Sequence, residues 1–213
     1  MERNGRHLLF AGIAAGSLWG FAEVVLGAGI RSLALPLRGT ALTTIGVVVL
    51  FALFALGRRV WPVAVALVTV LVIKVVCAIY LGGLDSVINS SLAVMLEGLL
   101  ILLAIFLLKN IIYNDHVFQS ALAGIGMLVA GTLFYFIGSH LAPCKYLSSM
   151  SAGQFFVHET LFWSAVSAVG APLGYFVGRH IRENTVAPER RVIPAMITSA
   201  ICWAACALAV HLF

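Results

Sequence analysis

Residues Leu8–Ile30 read LLFAGIAAGSLWGFAEVVLGAGI. A helix that crosses a bilayer needs about 20 mostly apolar residues, and this stretch is long enough. Gly12, Gly16 and Gly20 recur at a spacing of four, and Ala11 and Ala15 do so one residue earlier. Small residues at that spacing make a smooth strip on which a second helix packs closely. Glu23 falls inside the span, three residues after Gly20, and shares the glycine face. A carboxylate at the centre of a membrane helix costs about 2.5–3.5 kcal/mol on insertion scales, so Glu23 is expected to face protein or a wet cavity rather than lipid. The stretch therefore reads as the inner wall of a helical bundle.

The rest of the chain agrees in composition. Of 213 residues, 62% are hydrophobic and 10% charged, and the mean hydropathy is +1.08. A soluble domain carries about 25% charged residues. The expected class is an all-α, polytopic membrane bundle, forming one domain over residues 1–213. The net charge of +5 is expected to set orientation in the membrane, because no basic stripe interleaved with aromatics points to nucleic acid. Arg3 and Arg6 precede an apolar run, as in a signal peptide. The run exceeds the usual 7–15 residues and contains Glu23, so it reads as a retained span. Cys77, Cys144, Cys202 and Cys206 form no CxxC pair and are expected to pack as small hydrophobes.

Further apolar runs follow at Thr40–Leu56, Val60–Leu81, Val87–Leu108, Val117–Leu141, Phe155–Val177 and Val192–Phe213. That makes about seven spans, or six if the last is re-entrant or peripheral. With the N-terminus in the cytoplasm, the inner segments hold Arg3, Arg6, Arg58, Arg59, Lys109, Arg179, Arg182, Arg190 and Arg191. The outer loops hold Arg31, Arg38 and Lys145, and Lys74 lies within a span, which completes the 13 Lys and Arg. Nine against three is a strong bias toward that orientation. The expected location is a cell (inner) membrane, multi-pass, with lipids as neighbours.

Four charged groups lie inside spans: Glu23, Lys74, Glu97 and Glu159. At about 1.5 Å of rise per residue they fall at the midplane or outward. His158, Asn89 and Gln154 sit at the same outer mouth, and Trp19 lies one turn before Glu23. Clustering in one half predicts a cavity open to one side, with Trp19, Glu23, Lys74, Asn89, Glu97, His158 and Glu159 as candidate substrate-binding residues. Glu23 and Lys74 are also readable as a structural ion pair. An uncompensated buried carboxylate keeps a proton or finds a cation, so a cationic or hydrogen-bond-rich solute suits such a site. No GxSxG, HExxH or Walker A sequence occurs, and no catalytic residue or cofactor is expected. His158, Glu159 and Glu97 are donors of the kind that hold metals, but none is paired at metal-type spacing.

A small, very hydrophobic chain, a first helix with Ala11 and Ala15 in an AxxxA pattern, the run Gly16-Ser17-Leu18-Trp19-Gly20-Phe21-Ala22-Glu23, and a following loop with Pro36 and Gly39 together resemble the S component, the substrate-binding membrane subunit, of energy-coupling factor (ECF) transporters. The resemblance implies that Ala11 and Ala15 contact a transmembrane coupling subunit. It also implies that Arg31–Gly39 caps the substrate, and that separate ATPase subunits hydrolyse ATP. The expected function is then a substrate-binding subunit for uptake of a small solute, a vitamin-like molecule or a metal ion. A structural or assembly subunit, and a membrane enzyme acting on a lipid or isoprenoid, are the competing classes.

Overall fold

The computed structural model describes residues 3–27, 38–80, 87–113, 115–141, 143–184 and 192–212. Every regular element among them is helical: α1 (Arg3–Phe21), α2 (Arg38–Gly57), α3 (Trp61–Tyr80), α4 (Ile88–Ile112), α5 (His116–Leu141), the short α6 (Lys145–Ser148) and α7 (Ala152–Phe155), α8 (Leu161–Asn184) and α9 (Val192–Leu212). Two π-helical segments interrupt the pattern. Ala22–Leu26 continues α1, and Phe156–Thr160 joins α7 to α8. The helix that begins at Ala152 is started by a capping box. The Ser151 hydroxyl accepts from the Gln154 backbone N–H, and the Gln154 side chain accepts from the Ser151 N–H.

Among the described residues, six helices are long and apolar enough to cross a membrane: Gly5–Leu26, Gly39–Gly57, Trp61–Ile79, Ile88–Ile112, His116–Leu141 and Ala152–Asn184. The chain is a multi-pass helical membrane protein. The seventh apolar segment is helical too, over the 21 residues of α9, and is not among these six. It flanks the bundle, where Trp203 and Cys206 pack on Phe21, Ile73 and Cys77 of α1 and α3. Six spans are thus in place, and α9 is the segment that the sequence reads either as a seventh span or as re-entrant or peripheral.

The six spans close into a ring in the order α1, α3, α4, α5, α8, α2, and α2 also touches α3 and α4 across the middle. Two parallel seams of small residues set the ring. On α1, a Cβ added at Gly12 would lie 2.8 Å from the Pro62 carbonyl oxygen, and one at Gly16 would lie 2.5 Å from that of Ala66. One at Gly20 would lie 2.6 Å from Ile73. The glycine strip is therefore spent on α3 of the same chain. On α8, Gly170, Gly174 and Gly178 do the same against Thr44, Val48 and Ala52 of α2, with backbone meeting backbone at the last two. Without side chains at the seam, the helices approach closely enough for dispersion contacts along their length.

The end of the bundle at which α1 begins is tied by hydrogen bonds to backbone carbonyls. Arg58 closes α2 in a left-handed conformation (φ 50), and its carbonyl accepts from the Tyr113 hydroxyl at 2.7 Å. Tyr175 donates to the Tyr113 carbonyl at 3.2 Å, and Arg182 donates to that of Ala55 at 2.7 Å. Gln119 is buried there too and donates to the Ile112 carbonyl at 2.7 Å. Several polar side chains of this end are thus bound to backbone carbonyls, while Arg179 pairs with Glu183 at the surface.

Candidate functional site

The opposite end is built differently. The π turn at Ala22–Leu26 carries Glu23. Such a turn shifts the following side chains from their α-helical positions and is frequent at functional sites. The glycine seam brings α1 against α3 one turn below, so Glu23 accepts from the Lys74 ammonium at 2.7 Å. Both side chains are withdrawn from water, at 5% and 3% exposure. On α4, Glu97 is 4% exposed, and its Oε1 accepts from the Thr43 hydroxyl of α2 at 2.7 Å. The second π segment carries Glu159. Its Oε2 accepts from the Trp163 indole N–H at 3.2 Å, and its Oε1 accepts from the Tyr146 hydroxyl.

Glu23, Thr43, Glu97, Tyr146, Glu159 and Trp163 line one cavity of ≈ 380 Å³. Its wall takes Glu23 and Gly27 from the end of α1, Gly39 and Thr43 from the start of α2, and Asn89, Ser90, Ala93 and Glu97 from α4. Phe134 of α5, Cys144 and Tyr146 of the connection, and Phe155, Glu159 and Trp163 of the last span complete it. Asn89 and Glu97 are eight residues apart on one helix, so the wall runs about 12 Å along the bundle axis. Phe134, Phe155 and Trp163 form a triangle with ring centroids 5.9, 6.0 and 6.1 Å apart. Trp163 also stands against Gly39, where an added Cβ would come within 3.0 Å of the indole.

Of the seven residues singled out in the sequence, Glu23, Asn89, Glu97 and Glu159 share this wall, and Lys74 stands behind it on Glu23. Two lie elsewhere. Trp19 is fully buried one turn deeper, packed on Gly46 of α2 with its indole N–H unpartnered. It is a core residue because α2 approaches α1 at that level. His158 is exposed and off the wall, because its neighbour Glu159 takes the inward position of the π segment. Ala11 and Ala15 are half-buried against this chain's own core. The expected cap, Arg31–Gly39, lies outside the described residues except at its final two positions. Thr43, Tyr146, Phe134, Phe155 and Trp163 were not singled out. A hydroxyl in an apolar span marked Thr43, and a spacing of four from Glu159 marked Trp163.

Fold and cavity together define a polytopic helical membrane protein with a cavity between its spans whose largely apolar wall carries three carboxyl groups. Compared with protein-family models, with curated proteins and with solved structures, the chain finds no match in any of the three.

Proposed function

We propose that the chain is a membrane substrate-binding subunit that takes up a small solute through the cavity at the end away from the start of α1, with separate coupling and ATPase subunits supplying the energy. The observation that carries this reading is the convergence of Glu23, Asn89, Glu97 and Glu159 on one cavity wall, from three separate spans. A buried carboxylate has no packing advantage over an apolar residue of similar size. A bundle that keeps three of them around open space has a use for that space. The loop charges favour an outward-facing cavity, as uptake requires. The coupling and ATPase partners come from the resemblance to S components of ECF transporters, and so does the capping role of Arg31–Gly39.

Native mass spectrometry of the full chain purified in mild detergent tests the reading. A retained small molecule is expected, and it is lost when Glu23→Gln and Glu97→Gln are combined. Co-purification of an ATPase with the tagged chain from its own host tests the energy source. A chain that retains nothing, and whose double variant supports unchanged uptake, would end the assignment.

A further inference from the structure

The charge balance of the cavity and its aromatic wall bear on what it holds. Glu23 has its cation in Lys74, at 2.7 Å. Glu97 and Glu159 are met by neutral donors among the described residues: the hydroxyls of Thr43 and Tyr146 and the Trp163 indole. Glu97 is 4% exposed, and among the described residues only one of its two oxygens takes a hydrogen bond. A carboxylate so far from water keeps a proton or finds a cation. The same cavity is lined by Phe134, Phe155 and Trp163, whose centroids are 5.9–6.1 Å apart, and Trp163 touches Glu159. The faces of such rings attract cations, most strongly when water is excluded. A hard metal ion would instead need several converging oxygens, and among the described residues no three His, Cys, Asp or Glu side chains converge in that way.

We propose that the cavity takes an organic cation, a small ring compound bearing a protonated amine or quaternary nitrogen. The nitrogen lies toward Glu97 and Glu159, and the ring lies against Phe134, Phe155 and Trp163. The volume of ≈ 380 Å³ is at the low end of small-molecule pockets, about 300–1,000 Å³, so the ligand is compact. This inference rests on the cavity being the solute site, and it narrows the solute to one charge class.

The test uses the full chain in detergent at neutral pH and three probes that share a ring and differ in charge: 2-phenylethylamine, 2-phenylethanol and phenylacetate. Isothermal titration is expected to show the amine binding at least about tenfold more tightly than the alcohol, the factor set by one charge contact of ordinary strength. Phenylacetate is expected to be weakest. Glu97→Gln and Glu159→Gln each weaken the amine about tenfold and leave the alcohol unchanged. Ala93→Trp, which fills the wall, abolishes binding of the amine. Equal binding of the alcohol or the acid overturns the cation assignment and leaves the binding site standing. Unchanged amine binding in Ala93→Trp overturns the location. Saturable binding of none of the three overturns the charge class; when native mass spectrometry also finds no retained molecule, it overturns the binding reading as well. The three-probe comparison is made on unaltered protein, so it decides the matter even where a variant does not fold.

Discussion

Lys74 reaches across the seam between α1 and α3 to Glu23, and neither side chain is more than 5% exposed. Removing one member of a buried pair strands the other, at about 3–5 kcal/mol. Lys74→Met is therefore expected to lower the thermal midpoint of the purified protein sharply. The double variant Glu23→Gln, Lys74→Met should recover most of the loss, since no charge is then left buried. A single variant as stable as the parent would show that the pair is hydrated. His158 provides the contrast, for it is exposed and off the cavity wall. His158→Gln should leave binding of 2-phenylethylamine unchanged by titration. Its neighbour Glu159 is held by Tyr146 and Trp163. Adjacent residues in the sequence thus take opposite roles, and the π segment Phe156–Thr160 decides which of them points inward.

At the scale of elements, the helices are positioned by glycines more than by large side chains. The α1 strip was legible in the sequence, as Gly12, Gly16 and Gly20. An equal strip stands at the same spacing on α8, Gly170, Gly174 and Gly178, and α2 and α8 form the closest pairing in the bundle. A Cβ at Gly178 would strike the Ala52 carbonyl, which is backbone and cannot turn aside. Overpacking of this kind costs about 1–3 kcal/mol, and Gly178→Ala is expected to lower the melting temperature accordingly. Gly126 has open space around it, with nothing within 4 Å of an added Cβ. Gly126→Ala should be neutral or slightly stabilising, because alanine is the better helix former by about 1 kcal/mol in water. Equal effects at the two positions would show that helix propensity, not the α2–α8 seam, governs them.

For the molecule as a whole, the two ends differ in how their polar groups are used. At one end Arg182, Tyr113 and Tyr175 are bound to backbone carbonyls. At the other, carboxylates surround a cavity. Orientation in the membrane can be read with thiol reagents. Cys144 lines the cavity and is half-buried, while Cys77, Cys202 and Cys206 are buried. In intact cells a membrane-impermeant maleimide should label Cys144. In a Cys144→Ser background, Arg59→Cys, at the exposed turn of the opposite end, should label only after permeabilisation. The reverse pattern would turn the cavity toward the cytosol and remove the uptake reading.

Amino-acid order alone determined the class of this protein. Long apolar runs with polar turns must be helices in lipid, because every backbone group there needs an internal partner. It also determined that buried charge gathers toward one end, since depth along a helix is only a count of residues. Which of those charges share a space is a matter of rotation and neighbours, and these were decided by tertiary packing. Trp19 and Glu23 sit one turn apart, yet Gly46 draws the first into the core and the π turn sets the second on the cavity wall. Thr43 and Tyr146 entered the site for the same reason: a hydroxyl becomes a partner only when another helix brings a carboxylate to it, whereas Trp163 meets Glu159 one turn along its own span. Pairing across spans depends on which helices touch, and hydrophobic periodicity is blind to that in a chain whose helices are apolar on every side.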